Sequence, residues 1–245
     1  MADKKNFIRR KNPFPVRVVY QPIFDLGKRS VIGYEALARI NKQPYFPEDL
    51  FRRTYSEGQI VDFDVICLGN AFKILPKMNK KTLLFVNIEP ITLGTLFRKG
   101  EVIENLFRGI RRYRGRIVFE LTEGMKIRDF EYVKRGVSFL RRNGSAFALD
   151  DVVGIGSKLF SLASLKPDYI KVGRELIHGI ADDSLHQNLF HRIQEVAARS
   201  KSKLIAEGIE RKRDLLWLYH QGITCIQGFY LARPNSRLTK KFCGI

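Results

Sequence analysis

The chain is short of cysteine, of acid and of long apolar runs, and each shortage excludes something. Its three cysteines, Cys67, Cys225 and Cys243, show no CxxC or other paired spacing. That excludes a disulfide scaffold or a zinc-ribbon site and fits a reducing compartment. No apolar stretch approaches the roughly 18–20 residues of a membrane span. The opening MADKKNFIRRKNPFPVRVVYQPI lacks a signal peptide's unbroken apolar core and small-residue cleavage site. The expectation is a soluble cytoplasmic protein with no membrane span. There is no G-x-S-x-G elbow, no HExxH spacing among His178, His186, His191 and His220, and no Gly-rich phosphate fingerprint after the first strand. These absences remove a serine-hydrolase triad, a zinc-protease helix and an open dinucleotide-binding sheet.

Acid is scarce relative to base. Asp and Glu number 25 against 44 Lys and Arg, a formal charge of +19. An excess of this size points to an anionic partner. The basic residues come in short clusters, from Lys4-Lys5 to Lys240-Lys241. They are expected mostly on outer helices and in the N-terminal tail, with an acidic protein or a nucleic acid as the candidate partner of that surface.

What is present is a globular mixture, 44% hydrophobic and 11% aromatic, in 245 residues. That is enough chain to bury a full core. Short apolar runs predict strands at Val16–Phe24, Ser30–Leu37, Thr82–Asn87, Arg116–Glu120, Ala146–Asp150, Tyr169–Val172, Leu204–Glu207 and Cys225–Gln227. They are apolar almost throughout, as strands buried on both faces are. Between them, apolar residues at spacings of three and four predict helices over Glu48–Lys73, Asp129–Arg142, Leu185–Ser200 and Arg213–His220. The alternation gives an α/β fold, and eight strands in this length fit a (β/α)8 barrel. Residues 1–15 read as a basic tail and 16–245 as one domain.

The scarce acids recur at one kind of place. Glu35, Glu120, Asp150, Asp151 and Glu207 stand at or near strand ends, with Asn87 closing LLFVN and Lys171 in YIKV. In such a barrel these ends meet at one mouth, where active sites lie. So many like charges need compensation, and all-oxygen donors favour Mg²⁺ or Mn²⁺, sometimes Ca²⁺. Paired aspartates suit a two-metal site, provided that the strand ends there, because neighbours in a regular strand point to opposite faces.

In order along the chain, Tyr20-Gln21-Pro22-Ile23, Glu35-Ala36-Leu37-Ala38-Arg39, Phe85-Val86-Asn87-Ile88, Glu120-Leu121-Thr122-Glu123, Ala148-Leu149-Asp150-Asp151, Ala206-Glu207-Gly208-Ile209-Glu210 and Gln227-Gly228-Phe229-Tyr230 resemble the motifs of the EAL domain family, bacterial phosphodiesterases of cyclic di-GMP and receptors derived from them. The resemblance implies a modified TIM barrel with one antiparallel strand, a two-metal Mg²⁺ or Mn²⁺ site, and a homodimer. It implies metal ligands at Glu35, Asn87, Glu120, Asp150, Asp151 and Glu207. Lys171, Glu35 and Glu207 would be catalytic. Gln21, Leu37, Arg39 and Gln227 would contact cyclic di-GMP, and Glu123 would anchor the loop after the paired aspartates. The implied reaction is hydrolysis of cyclic di-GMP to linear pGpG.

Two departures stand out. The family's K-x-D step reads Lys171-Val172-Gly173, and the segment after the paired aspartates reads Val152-Val153-Gly154-Ile155-Gly156-Ser157-Lys158 instead of F-G-T/A-G-Y-S-S. They open the alternative of an impaired member that binds cyclic di-GMP or a protein without turnover. An aspartate restored at 173 is expected to raise hydrolysis if the rest of the site is competent.

Overall fold

Eight short strands close into a barrel in chain order. The computed structural model describes residues 14, 16–40, 53–98, 105, 107–122 and 130–239. The strands are β1 (Val16–Asp25), β2 (Ser30–Ile40), β3 (Leu83–Asn87), β4 (Ile117–Thr122), β5 (Ala146–Val152), β6 (Tyr169–Val172), β7 (Lys203–Ala206) and β8 (Cys225–Ile226). β1 runs antiparallel to both neighbours, β2 and β8, and every other neighbouring pair is parallel. The tight β1–β2 turn therefore lies at the end of the barrel where the parallel strands start.

Among the described residues the named helices are α1 (Ile60–Phe72), α2 (Pro90–Arg98), α3 (Phe130–Arg142), α4 (Ser157–Ala163), α5 (Arg174–Ile177), α6 (Ser184–Ser200) and α7 (Lys212–His220), and residues 107–110 are helical as well. α6 is capped by Asp183, whose carboxylate accepts from the Leu185 and His186 N–H groups. One expectation needs correction. The helix expected over Glu48–Lys73 is broken where it is described. A helical turn at residues 53–56 is separated from α1 by Gly58 in the left-handed region, at φ 70°. Residues 48–52 of that stretch lie outside the described residues, as do positions 1–13 of the tail. Phe14 is described, and it is buried edge-to-face on Phe63 of α1 at 5.2 Å. α2, α4 and α5 were not anticipated; α4 and α5, of seven and four residues, have too few turns to carry a periodic signal.

Strand alternation sorts side chains into two cores. Phe24, Leu84, Phe119, Phe147, Ile170 and Ile226 face outward under the helices. Ile23, Phe85, Val118, Ala148, Ile205 and Cys225, one from each of six strands, fill the barrel interior. Gly33 faces the same layer from β2. A Cβ there would lie 2.7 Å from the Phe85 ring and 3.1 Å from the Leu83 carbonyl oxygen. Glycine is what lets Phe85 occupy the barrel centre. Gly33→Ala is expected to destabilise the protein by about 1–3 kcal/mol through overpacking. Urea denaturation reads this directly, and an unchanged midpoint would show that Phe85 has room to shift.

Candidate active site

Two residues along each strand from the apolar layer, toward the barrel mouth, stands a ring of polar side chains. Phe85 leads to Asn87, Val118 to Glu120, Ala148 to Asp150, Tyr169 to Lys171, Ile205 to Glu207 and Cys225 to Gln227. From β2, Gly33 leads to Glu35. Antiparallel β1 leads backward from Ile23 to Gln21, which pairs in register with Glu35. Each of the eight strands thus contributes one polar residue, because a strand repeats its facing every two residues.

Lys171 is the centre of this ring and is fully buried. Its Nζ lies 2.6 Å from Glu120 Oε1, 2.8 Å from Asp150 Oδ1, 2.8 Å from Glu207 Oε1 and 3.5 Å from Glu35 Oε2. Burial pushes the Lys171 pKa down, but the four carboxylates outweigh it and hold the ammonium well above its ordinary range. Burial pushes Glu120 and Glu207 well above the usual carboxylate range, and Lys171 only partly offsets this. Gln227 Nε2 donates to Glu35 Oε2 at 2.5 Å and to Gln21 Oε1 at 3.1 Å. Gln21 Nε2 in turn donates to the Ala232 carbonyl oxygen.

One ammonium cannot satisfy this many acids. Both Glu120 oxygens and Asp150 Oδ1 are buried without a well-directed hydrogen bond, although Lys171 is at ion-pair distance. Oxygens of Glu35, Glu120 and Asp150 lie within 4.8 Å of one another, spacing that a cation could bridge. Buried, hydrogen-bond-poor carboxylates of hard-oxygen type are the donor set that a divalent cation takes. The residues present therefore fit a metal.

The remaining expected residues are spread around this centre. Asn87 is exposed at the rim, its backbone in register with Glu120. Leu37 and Arg39 follow Glu35 on the same face of β2, both partly exposed, with Arg39 Nη1 donating to the Ala38 carbonyl oxygen. Glu123 lies outside the described residues. Asp151 departs from the expectation that its strand ends at the aspartates. β5 continues to Val152, and its register with β6 shifts between Leu149 and Val152. Asp151 sits in this bulge at φ 55°, in the left-handed region. Its side chain is turned over Gly173, where a Cβ would overlap Asp151 Oδ1 and come within 2.9 Å of Val153 Cγ1. The backbone bulge, not a strand end, separates the paired aspartates.

Sequence reading missed two supporting groups. Asp64 of α1 is buried and accepts from the Glu89 N–H at 2.9 Å, two residues past Asn87. Burial pushes Asp64 up to about 7, and burial and Asp64 together push Glu89 up to about 8. The only sequence signal was an acid on the apolar face of a helix. At the mouth, exposed Phe229 carries the Arg233 guanidinium 4.5 Å from its ring centroid. Phe229 falls within the string Gln227-Gly228-Phe229-Tyr230, yet nothing in that string shows its pairing with Arg233.

Comparison with known proteins bears on the family and the fold. The EAL domain family model matches residues 8–234. The probable cyclic di-GMP phosphodiesterase PdeN of Escherichia coli is 28% identical over 228 residues, 89% of this chain and 43% of the relative. The chain spans about half the length, or less, of the curated relatives that it matches. A standalone EAL protein of Vibrio cholerae, solved in its c-di-GMP bound form, superposes with a TM-score of 0.77 at 26% identity, covering 91% of this chain and 93% of that one. Klebsiella pneumoniae BlrP1, solved as a calcium and cyclic di-GMP complex, gives 0.79 at 26% identity over 99% of this chain and 60% of that one.

Two outcomes are expected. Gly173→Asp must displace the Asp151 carboxylate, the far end of a flexible side chain, so the gain expected from the family pattern requires Asp151 to turn away. A double-mutant cycle of Gly173→Asp with Asp151→Gly, read by urea denaturation, should show coupling on the order of 1 kcal/mol, and additive effects would show that the two positions do not share space. The raised Asp64 pKa means that the folded protein holds an extra proton between about pH 4 and 7. Stability falls as pH rises through that window, by about 1.4 kcal/mol per unit where the difference is fully developed. Asp64→Asn should make the decline between pH 5 and about 7.5 shallower, leaving the part that the raised Glu89 pKa contributes; slopes parallel to wild type would refute the assignment.

Proposed function

Because the chain belongs to the EAL domain family, we propose that it hydrolyses cyclic di-GMP to linear pGpG. The observation that carries this is the set of buried carboxylates around Lys171, three of which place oxygens within 4.8 Å of one another. Two Mg²⁺ or Mn²⁺ ions are the proposed cofactors, held by Glu35, Asn87, Glu120, Asp150, Asp151 and Glu207. Such cations polarise a phosphoryl oxygen and make a neighbouring water more acidic.

The chain's own groups do the rest. Lys171 keeps its proton and orients the attacking water by hydrogen bonding. Gln227 fixes the Glu35 carboxylate, and Gln21 fixes Gln227, so the Glu35 rotamer is set before substrate arrives. Arg39 holds a phosphate through forked hydrogen bonds, and Leu37 packs beside it. Phe229 offers an exposed aromatic face to a guanine base. The water oxygen adds to phosphorus, the bond to one ribose O3′ breaks, and one of the water's protons passes to that oxygen while the other stays with the new phosphate. The product carries one free 3′-hydroxyl and one 5′-phosphate.

A second reading, binding without turnover, is favoured by one observation. Asp151 is turned over Gly173, and the clustered oxygens are those of Glu35, Glu120 and Asp150. One assay separates the two readings. The chain is incubated with cyclic di-GMP and Mn²⁺ or Mg²⁺, pGpG is followed by chromatography, and binding is followed by calorimetry. Turnover that chelation abolishes and that Glu120→Gln lowers by roughly 10²-fold or more is expected. Tight binding without pGpG establishes the second reading.

A further inference from the structure

The charge excess has a location. The connections at the end of the barrel opposite the mouth, taken with the helix ends and first strand residues that flank them, are residues 26–29, 73–82, 108–116, 141–145, 164–168, 199–203 and 221–224, which precede the parallel strands or join β1 to β2. They carry 17 of the chain's Lys and Arg and one acid, Asp168. The rest of the chain holds 27 basic and 24 acidic residues, close to balance. Most of the excess is therefore on this one face, part of it at the ends of the outer helices, while residues 1–15 carry five basic residues and one acid.

The face is a single built surface. Gly115 N–H donates to the Gly144 carbonyl at 2.6 Å, and Arg116 Nη2 to the Asn79 carbonyl at 2.9 Å. Arg141 Nη1 reaches the Leu165 carbonyl at 2.8 Å, and Ser202 Oγ the Pro167 carbonyl at 2.6 Å. Leu26 N–H donates to the Thr224 carbonyl. Successive connections are thus tied side by side around the ring. Some of the charge serves the fold: Arg141, Arg142 and Arg199 lie in last turns of helices, where cations offset the macrodipole. That account does not reach Lys28, Lys80 or Lys81, and Arg111, at a helical C-terminal end, is like them exposed with a side chain that bonds nothing among the described residues. Clustered cations repel one another unless an anion lies across them.

We propose that this basal face binds the phosphate backbone of a nucleic-acid duplex, without reading its sequence. Three observations select that partner. The face mixes Arg forks and Lys point charges, as repeated phosphates require. Tyr113, the aromatic ring among these loops, already has the Arg112 and Arg116 guanidiniums 4.9 and 5.5 Å from its centroid. It is no free platform for stacking single-stranded bases. None of the exposed large apolar side chains among the described residues lies in these segments, so the face has no wedge to insert in a lipid surface, which polybasic anchors normally add. No helix or ribbon projects from it into a groove, so base-edge readout is not expected.

The test is fluorescence anisotropy of the full chain with a labelled duplex of about 30 base pairs in about 50 mM salt, repeated across a salt series. Binding is expected, with affinity falling linearly on a log–log plot against salt. Lys28→Glu, Lys80→Glu, Lys81→Glu and Arg111→Glu together should weaken it by roughly 100-fold or more and reduce the salt slope by about four. An unchanged thermal midpoint separates lost binding from lost fold, and Gln at the same four positions serves if the Glu variant does not fold. Absence of duplex binding, or binding that these substitutions leave intact, overturns the proposal. So does a clear preference for single-stranded RNA, for phosphatidylserine vesicles or for polyglutamate over the duplex.

Discussion

One buried ammonium among four carboxylates sets the terms for this molecule. Lys171 is fully enclosed, and burial alone would strip its proton. Glu35, Glu120, Asp150 and Glu207 keep it charged, and Lys171 in turn is what lets so many acids share one pocket. Neither side is stable without the other, because an uncompensated buried charge costs several kcal/mol or more. The balance is still uneven, with four acids facing one base. Both Glu120 oxygens stay without a well-directed partner. The site is built to receive further positive charge.

The barrel makes this arrangement possible by simple arithmetic. Each strand repeats its facing every two residues, so a complete apolar layer is followed by a complete polar one. Phe85 seals the layer below, and Gly33 exists to admit it. With the interior plugged, water reaches the carboxylates only from the mouth. Antiparallel β1 joins the same scheme in reverse, placing Gln21 beside Glu35 and Gln227. The Glu35 rotamer is then held by a chain of amides that begins at the Ala232 carbonyl.

The strands and the polar ring were legible in the sequence because both follow from short-range rules. Apolar runs of three to nine residues marked all eight strands, and polar residues at or near the ends of most of those runs marked the ring. What was not legible depends on the backbone. The β5 bulge at Asp151 leaves no compositional trace, since an aspartate tolerates the left-handed region as few residues do. Gly173 read as a lost carboxylate. In the folded chain it is the space into which Asp151 turns, so the two departures describe one local rearrangement. Asp64 was hidden for a different reason: its partner, the Glu89 N–H, is 25 residues away in sequence.

The charge excess was visible as a total and invisible as a pattern, and topology explains why. Helices follow strands back down the barrel, so their N-termini ring the mouth and their C-termini ring the base. Partial positive charge at the mouth favours the acids that gather there, and partial negative charge at the base favours Lys and Arg. Residues far apart in sequence are thereby sorted by sign into opposite ends of the molecule. Dipole compensation is a matter of the last helical turn, however, and the β1–β2 turn has no helix at all. Lys28 and Arg29 sit there without that justification, and their turn is tied to the β8 entry through Leu26 and Thr224. A cation placed where the fold does not ask for one is best understood by what it meets from outside.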